Sequence, residues 1–179
     1  MELTTKKGGP MGKLHVRIDD RLIHGQIITA WSKSLNIGSI IAIYNEMSKN
    51  KMIADILIMG VPLEYNPRIV SHDEAMELVN EDLKTKNVML ITRFAKNLKD
   101  MVDILGTVSE VNIGNMSKQK DSIYISKKIG VGQVLCFSQE DIDTLDNLES
   151  SGIKVVTQQM PSDKEISWAV TKNNLQTIK

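Results

Sequence analysis

A single cysteine, Cys136, leaves the chain without an intramolecular disulfide or any C-x-x-C redox or zinc motif. It reads as a small buried hydrophobe. Charge of one sign is also lacking: Lys+Arg and Asp+Glu both number 22, so nothing draws the chain to nucleic acid or to an anionic membrane surface. Long apolar runs are missing too. The longest candidate, Met52 to Leu63, is interrupted by Asp55, Gly60 and Pro62, and falls short of the roughly 18–20 residues that cross a bilayer. The opening Met1-Glu-Leu-Thr-Thr-Lys-Lys-Gly-Gly-Pro10 has no apolar core, so it is not a signal peptide. The three histidines, His15, His24 and His72, are too far apart for a local zinc motif, and no metal is expected. Gly12-Lys13 is not a phosphate loop, because Lys7 stands where its first glycine belongs and no strand precedes it. Gly130-x-Gly132 is followed by Leu135 where a dinucleotide loop needs its third glycine, and no G-x-S-x-G elbow occurs.

What remains, at 179 residues with 41% hydrophobic and 25% charged, is one ordinary globular domain. Residues 1–12, ahead of the first apolar run, are read as a leader or disordered tail, and 13–179 as the domain; the default compartment is the cytoplasm.

Polar chemistry concentrates in Arg17-Ile-Asp-Asp-Arg-Leu-Ile-His-Gly-Gln26. Leu14 to Ile18 alternates as a strand does, whereas Ile27, Ile28, Trp31 and Leu35 recur at helical spacing. The turn between a strand and a helix is where α/β sheets place their sites. A helix starting near His24 would offer the amides of Gly25, Gln26 and Ile27 to an anion. Gly25 leaves room for close approach, and Arg21 adds a planar guanidinium suited to phosphate oxygens. His24 could act as a nucleophile toward phosphorus, or be a surface or capping residue. Either Asp19 or Asp20 could orient the imidazole, or both could cap the turn or pair with Arg17 and Arg21; Asp20 is the candidate for orienting, and capping or pairing is favoured for Asp19. Arg17 reads as structural, and Trp31 as packing.

The rest alternates strands and helices. Ile37–Tyr44 is a buried strand, and a helix lies within Glu46–Met59 with Met52, Ile53, Ile56 and Leu57 on one side. Ser71 and Glu74 form a capping box for a helix presenting Met76, Val79 and Leu83. Val88–Thr92 is a strand; Ala95, Leu98, Met101, Val102 and Leu105 make a helical stripe; Val108–Ile113 is a strand. An extended region over Val131–Phe137, paired as a hairpin from Ile123, precedes a helix entered at Ser138 and ended by Gly152. Ile153–Thr157 is the last strand, and Ser162 with Glu165 reads as a second capping box opening a terminal helix. The expected fold is α/β: an open, mostly parallel twisted sheet with helices on both faces.

The ten-residue run from Arg17 to Gln26, with Trp31 beyond it, resembles the signature of the IIB components of the mannose/fructose/sorbose family of the bacterial phosphoenolpyruvate-dependent sugar phosphotransferase system. Asn112-Ile-Gly-Asn-Met116 and Gln159-Met-Pro-Ser162 resemble two further family segments, extending the likeness over roughly residues 13 to 170. Asn115 departs from it, standing where the family usually has a second glycine. The resemblance implies that His24 is the phosphorylated nucleophile; Arg21 and the helix-start amides of Gly25 and Gln26 would then bind the phosphate, and no cofactor is required. It implies a IIA phosphodonor, membrane IIC and IID partners and a sugar substrate; a homodimer is left open. A histidine-phosphorylated regulatory module that never delivers to sugar is the alternative, and a flavodoxin-like ligand-binding domain a third.

Overall fold

The computed structural model describes residues 12–101, 105, 108, 110–126 and 135–178. Two sheets organise them. The larger has seven strands in the order β3-β2-β4-β1-β5-β8-β9. In chain order these are β1 (Leu14–Asp19), β2 (Ile37–Ile43), β3 (Arg68–Val70), β4 (Asn87–Thr92), β5 (Glu110–Asn115), β8 (Lys154–Thr157) and β9 (Ile166–Ser167). Every neighbouring pair is parallel except β8 with β9, which gives the expected mostly parallel α/β sheet. The smaller sheet is antiparallel: β6 (Tyr124–Ser126) lies between β7 (Leu135–Phe137) and β10 (Leu175–Thr177). The hairpin expected from Ile123 is there, but its third strand comes from the chain's far end. Gly130–Gly132, Val102 and residues 1–11 lie outside the described residues. Gly12 belongs to the fold rather than to a tail: its N–H donates to Leu83 O at 2.9 Å, and an added Cβ would meet Lys86 O at 1.9 Å.

The period of two in the strands sorts the core into two layers. Leu14, Val16 and Ile18 of β1, with Val88 and Leu90 of β4, face a cluster closed by helix α4 (His72–Asp82), the turn Ala95–Leu98 and helix α5 (Gln139–Ser150). Met89 and Ile91 face the opposite cluster, under Ile27 and Trp31 of helix α1 and under Val61 and Tyr65. Helix α1 covers residues 25–34, and its turn Ile27–Trp31 is wound as a π-helix. Ser71 and Glu74 form the expected capping box of α4, and Ser138 caps α5 with Asp141. Gly152 ends α5 at φ 88°, a conformation glycine adopts without a Cβ penalty.

Two expectations are refined and one fails. The helix expected within Glu46–Met59 is α3 (Lys51–Ile58), but a separate short helix, α2 (Asn45–Ser48), precedes it, because the Asn50 side chain accepts from Ile53 N–H and starts a new helix. Its apolar side points outward: Met52 is 74% and Ile56 58% exposed, while Ala54 is the buried residue. The stripe from Ala95 begins as a short 3-10 turn, Ala95–Leu98, although Ala95, Leu98, Met101 and Leu105 are all fully buried. Ser162 and Glu165 cap nothing; Glu165 pairs with Lys154, and the last helix, α6 (Trp168–Asn173), is capped by Ser167. The spacing of a capping box recurs by chance wherever serine and glutamate are frequent, and here the pull of an ion pair decides.

Candidate active site

β1 lies between β4 and β5 in the sheet, but its helix leads away to β2, two positions over. Chain connections diverge at its carboxyl end, which opens the crevice where ligands bind in open α/β sheets. The polar run falls there. Its geometry depends on a slip in register: Ile18 pairs with Ile113, but Asp19 pairs with Asn115, skipping Gly114.

Asp19, fully buried, is the hub. Arg21 forks onto it through Nε to Oδ1 at 2.9 Å and Nη2 to Oδ2 at 2.9 Å. Arg17 Nη2 donates to Asp19 Oδ2 at 3.2 Å, and His24 Nε2 lies 3.9 Å from the same oxygen. Arg17 is 2% exposed, and its guanidinium stacks 4.5 Å over the Trp31 ring. Its Nη1 donates to Asn112 Oδ1 at 2.6 Å and to Gln158 O at 3.1 Å, and Nη2 also to Gln159 O at 3.2 Å. Trp31 Nε1 donates to the same Gln159 carbonyl at 3.0 Å. The three sequence segments that carry the family likeness therefore meet on one guanidinium. Burial lowers the Arg17 pKa to about 10, opposed by Asp19, so the group stays charged at neutral pH. The hydrogen bond that Arg21 donates to Asp19 is the main cause raising the Arg21 pKa.

Gly114 shows why the middle segment needs glycine. A Cβ there would lie 2.0 Å from Arg17 Nη2 and 2.5 Å from Asp19 Oδ2, inside the ion pair.

His24 immediately precedes α1, as expected. Its Nδ1–H donates to Leu22 O at 2.8 Å, which fixes the ring plane, and Nε2 faces Gln26 Oε1 at 3.4 Å. Leu22 turns the carbonyl inward by adopting φ 54°, a left-handed conformation costly for a branched residue, while its side chain remains buried. Ile28 N–H donates to His24 O at 3.2 Å, so the amides of Gly25, Gln26 and Ile27 precede the first helical bond. An added Cβ on Gly25 would meet nothing within 4 Å; the loop is open there. Arg21 Nη2 also reaches Gln26 Oε1 at 3.2 Å, and Nη1 remains without a partner among the described residues. The site thus brings Arg21, His24, Gly25 and Gln26 together.

Asp20 is the correction. Its carboxylate accepts from Asn115 Nδ2 at 2.6 Å and from Ser117 N–H at 2.9 Å, and does not orient His24; adjacent residues leave a strand on opposite sides, and Asp19 takes the inner one. Burial would raise the Asp20 pKa, but the hydrogen bonds from Ser117 and Asn115 outweigh it and the net shift is downward. Asn115 is not at positive φ, so the departure from glycine costs no backbone strain and supplies a donor. A folded-state pKa below the unfolded one contributes stability above the ordinary carboxylate range and loses it as pH falls through the folded value. Asn115→Gly is therefore expected to lower stability at pH 7 by about 1 kcal/mol through this half-exposed contact. Urea unfolding from pH 7 to 2.5 should show that part of the gap closing at the acid end; a gap independent of pH would remove Asn115 from the Asp20 interaction.

Sequence reasoning missed Arg93, which follows β4 and lines a cleft of about 210 Å³ with Asp20, Arg21, Ile23 and Leu57. Its guanidinium lies 4.7 Å over the Tyr44 ring. Its place one residue past a strand beside β1 was the available signal.

Among the described residues no group of three potential ligands could hold a metal, and no helix is long and apolar enough to cross a membrane.

A family model described as the PTS system sorbose subfamily IIB component matches residues 14–177. The sorbose-specific EIIB component of Lacticaseibacillus casei is 28% identical over 150 residues, covering 82% of this chain and 87% of that one. The mannose-specific EIIAB component of Escherichia coli K12 is 24% identical over 151 residues, 84% of this chain, which spans only 45% of that longer protein. Among solved structures, the IIB domain of the sorbose permease from Klebsiella pneumoniae superposes with a TM-score of 0.75 at 24% identity, covering 90% of this chain and 96% of that one. With the matched region running from the start of β1 to the end of β10, the chain belongs to the sorbose-subfamily IIB components of the sugar phosphotransferase system.

Proposed function

We propose that this chain is a phosphocarrier in which His24 takes a phosphoryl group from a IIA phosphohistidine and passes it to a sugar during uptake through membrane IIC and IID partners. It would work in the cytoplasm, held peripherally at the membrane by those partners. In the first step a ring nitrogen of His24 bonds to phosphorus while the donor's P–N bond breaks, its electron pair returning to the donor ring. In the second, a sugar hydroxyl oxygen attacks phosphorus, the His24 P–N bond breaks with its electron pair returning to the His24 ring, and the hydroxyl proton passes to solvent. The transfer balances without a metal or nucleotide. Little covalent work falls to the protein, so positioning and charge stabilisation carry the rate.

The observation that carries the reading is the hub at Asp19. It holds Arg21 rigid, with Nη1 unspent, beside an imidazole whose side chain is 18% exposed at the start of α1. A fixed guanidinium and unbonded helix-start amides stabilise a dianionic group without reorganising. Incubation with a phosphorylated IIA protein and peptide mapping of the acid-labile product should place phosphate on His24 alone. Label on His15 or His72 would overturn the assignment.

Arg21 gives a second test. Arg21→Lys keeps the charge and loses the fork onto Asp19. Transfer is expected to slow by roughly 10²-fold, the scale of losing one oriented donor, and Arg21→Ala to be slower still. Equal transfer rates for both variants and the parent would exclude the guanidinium from the chemistry.

A further inference from the structure

At the opposite end of the strands from His24, the second core layer stops short of β5. Helix α1 covers β2 and β4 there, and its last turn leaves a cavity of about 350 Å³ over the amino-terminal halves of β1 and β5. That volume is within the range of small-molecule sites. Its lining includes Lys13 just ahead of β1, His15 and Arg17 on β1, and Trp31, Leu35 and Met89 around them.

Two polar side chains on this lining are unspent, above a guanidinium that is not: both terminal nitrogens of Arg17 are hydrogen-bonded, and its Nε is sealed beneath the lining. The half-buried His15 ring makes no hydrogen bond among the described residues, and the Lys13 ammonium has no carboxylate within 4.0 Å among them. The carboxylate on the lining, Glu110, is already engaged by Lys154 at 2.8 Å. Burial, and then Lys13, lower the His15 pKa, so at neutral pH the ring offers one donor and one acceptor.

We propose that this cavity is a binding site for a small hydroxylated organic anion, its charged group on Lys13 and a hydroxyl on His15. Sugar phosphates and sugar acids share that chemistry. Leu35, Met89 and the Trp31 edge provide a limited apolar wall, enough for the carbon side of a ring or short chain. The proposal is independent of phosphate transfer at His24, and its test can fail while that reading stands.

The experiment is a titration of the ¹⁵N-labelled full chain, followed by ¹H–¹⁵N spectra, with gluconate, glucose 6-phosphate, neutral glucose and inorganic phosphate. The expected result is saturable shifts at the Lys13 and His15 amides and at Trp31 Nε1–H with at least one of the two organic anions. Glucose should bind at least tenfold more weakly. Response to gluconate alone identifies sugar acids as the source, and to glucose 6-phosphate alone, phosphate esters. Lys13→Gln, an exposed substitution, should weaken binding about fivefold or more, and Leu35→Trp should fill the cavity and abolish it. If the cavity resonances stay unmoved by both organic anions, or if Lys13→Gln binds as the parent does, the site is overturned; shifts confined to Gly25 and Gln26 count against it equally.

Discussion

Gly114→Ala is expected to lower the free energy of unfolding by about 3–5 kcal/mol, the cost of breaking a buried ion pair while leaving its charges buried. The Cβ would be placed 2.0 Å from Arg17 Nη2 and 2.4 Å from Arg17 Cζ, so the guanidinium must move. It cannot move cheaply, because it is held by Asn112, by the Gln158 and Gln159 carbonyls and by the Trp31 ring. For a chain of this size the loss corresponds to a melting temperature lower by about 6–20 °C. Gly25→Ala is the contrast, since its Cβ would meet nothing and the residue begins a helix. Its melting temperature should equal or slightly exceed that of the parent. Calorimetry on the two variants checks both; a Gly114→Ala protein melting within about 2 °C of the parent would show that the Arg17–Asp19 pair can be displaced freely, and the hub would lose its standing as a rigid element.

The strand, turn and helix of the site were legible because each rule there is local. Alternation marked β1, helical spacing marked α1, and the resemblance singled out His24. What was not legible depended on pairing between distant segments. Whether Asp19 or Asp20 faces the imidazole is set by the register slip that skips Gly114, and nothing within residues 17–26 reveals a slip against residues 110–115. Arg17 reads as structural from its place on the strand, and it is; that it gathers Asn112, Gln158 and Gln159 needs the parallel neighbours β5 and β8. The same limit explains α3. Spacing shows that Met52, Ile53, Ile56 and Leu57 share a side, but not that this side faces outward. Periodicity gives a face, and only packing says against what.

The other large effect concerns what the isolated chain cannot do. Phosphorylated protein without membrane components is expected to transfer no phosphate to free sugar at a useful rate. A carrier must be reached first by a donor and then by an acceptor, and the loop is built for access. Arg21 is 38% exposed, Gly25 faces open space, and the neighbouring cleft of about 210 Å³ is below the usual size of a small-molecule pocket. The aromatic ring that lines this cleft, Tyr44, already lies against Arg93, and so is not free to stack on a sugar. Holding a hydroxyl in line with phosphorus is worth roughly 7–11 kcal/mol of barrier, or about 10⁵–10⁸ in rate. In the proposed phosphocarrier that positioning comes from the membrane partners. Purified phosphoprotein would be incubated with a panel of hexoses and amino sugars, with and without membranes carrying IIC and IID, and sugar phosphate followed over time. Rapid product in the soluble-only reaction would make the chain a complete sugar-phosphorylating enzyme. Stable phosphoprotein that discharges only with membranes and sugar is the result a carrier requires, whereas phosphoprotein that never discharges even then would mark a regulatory module.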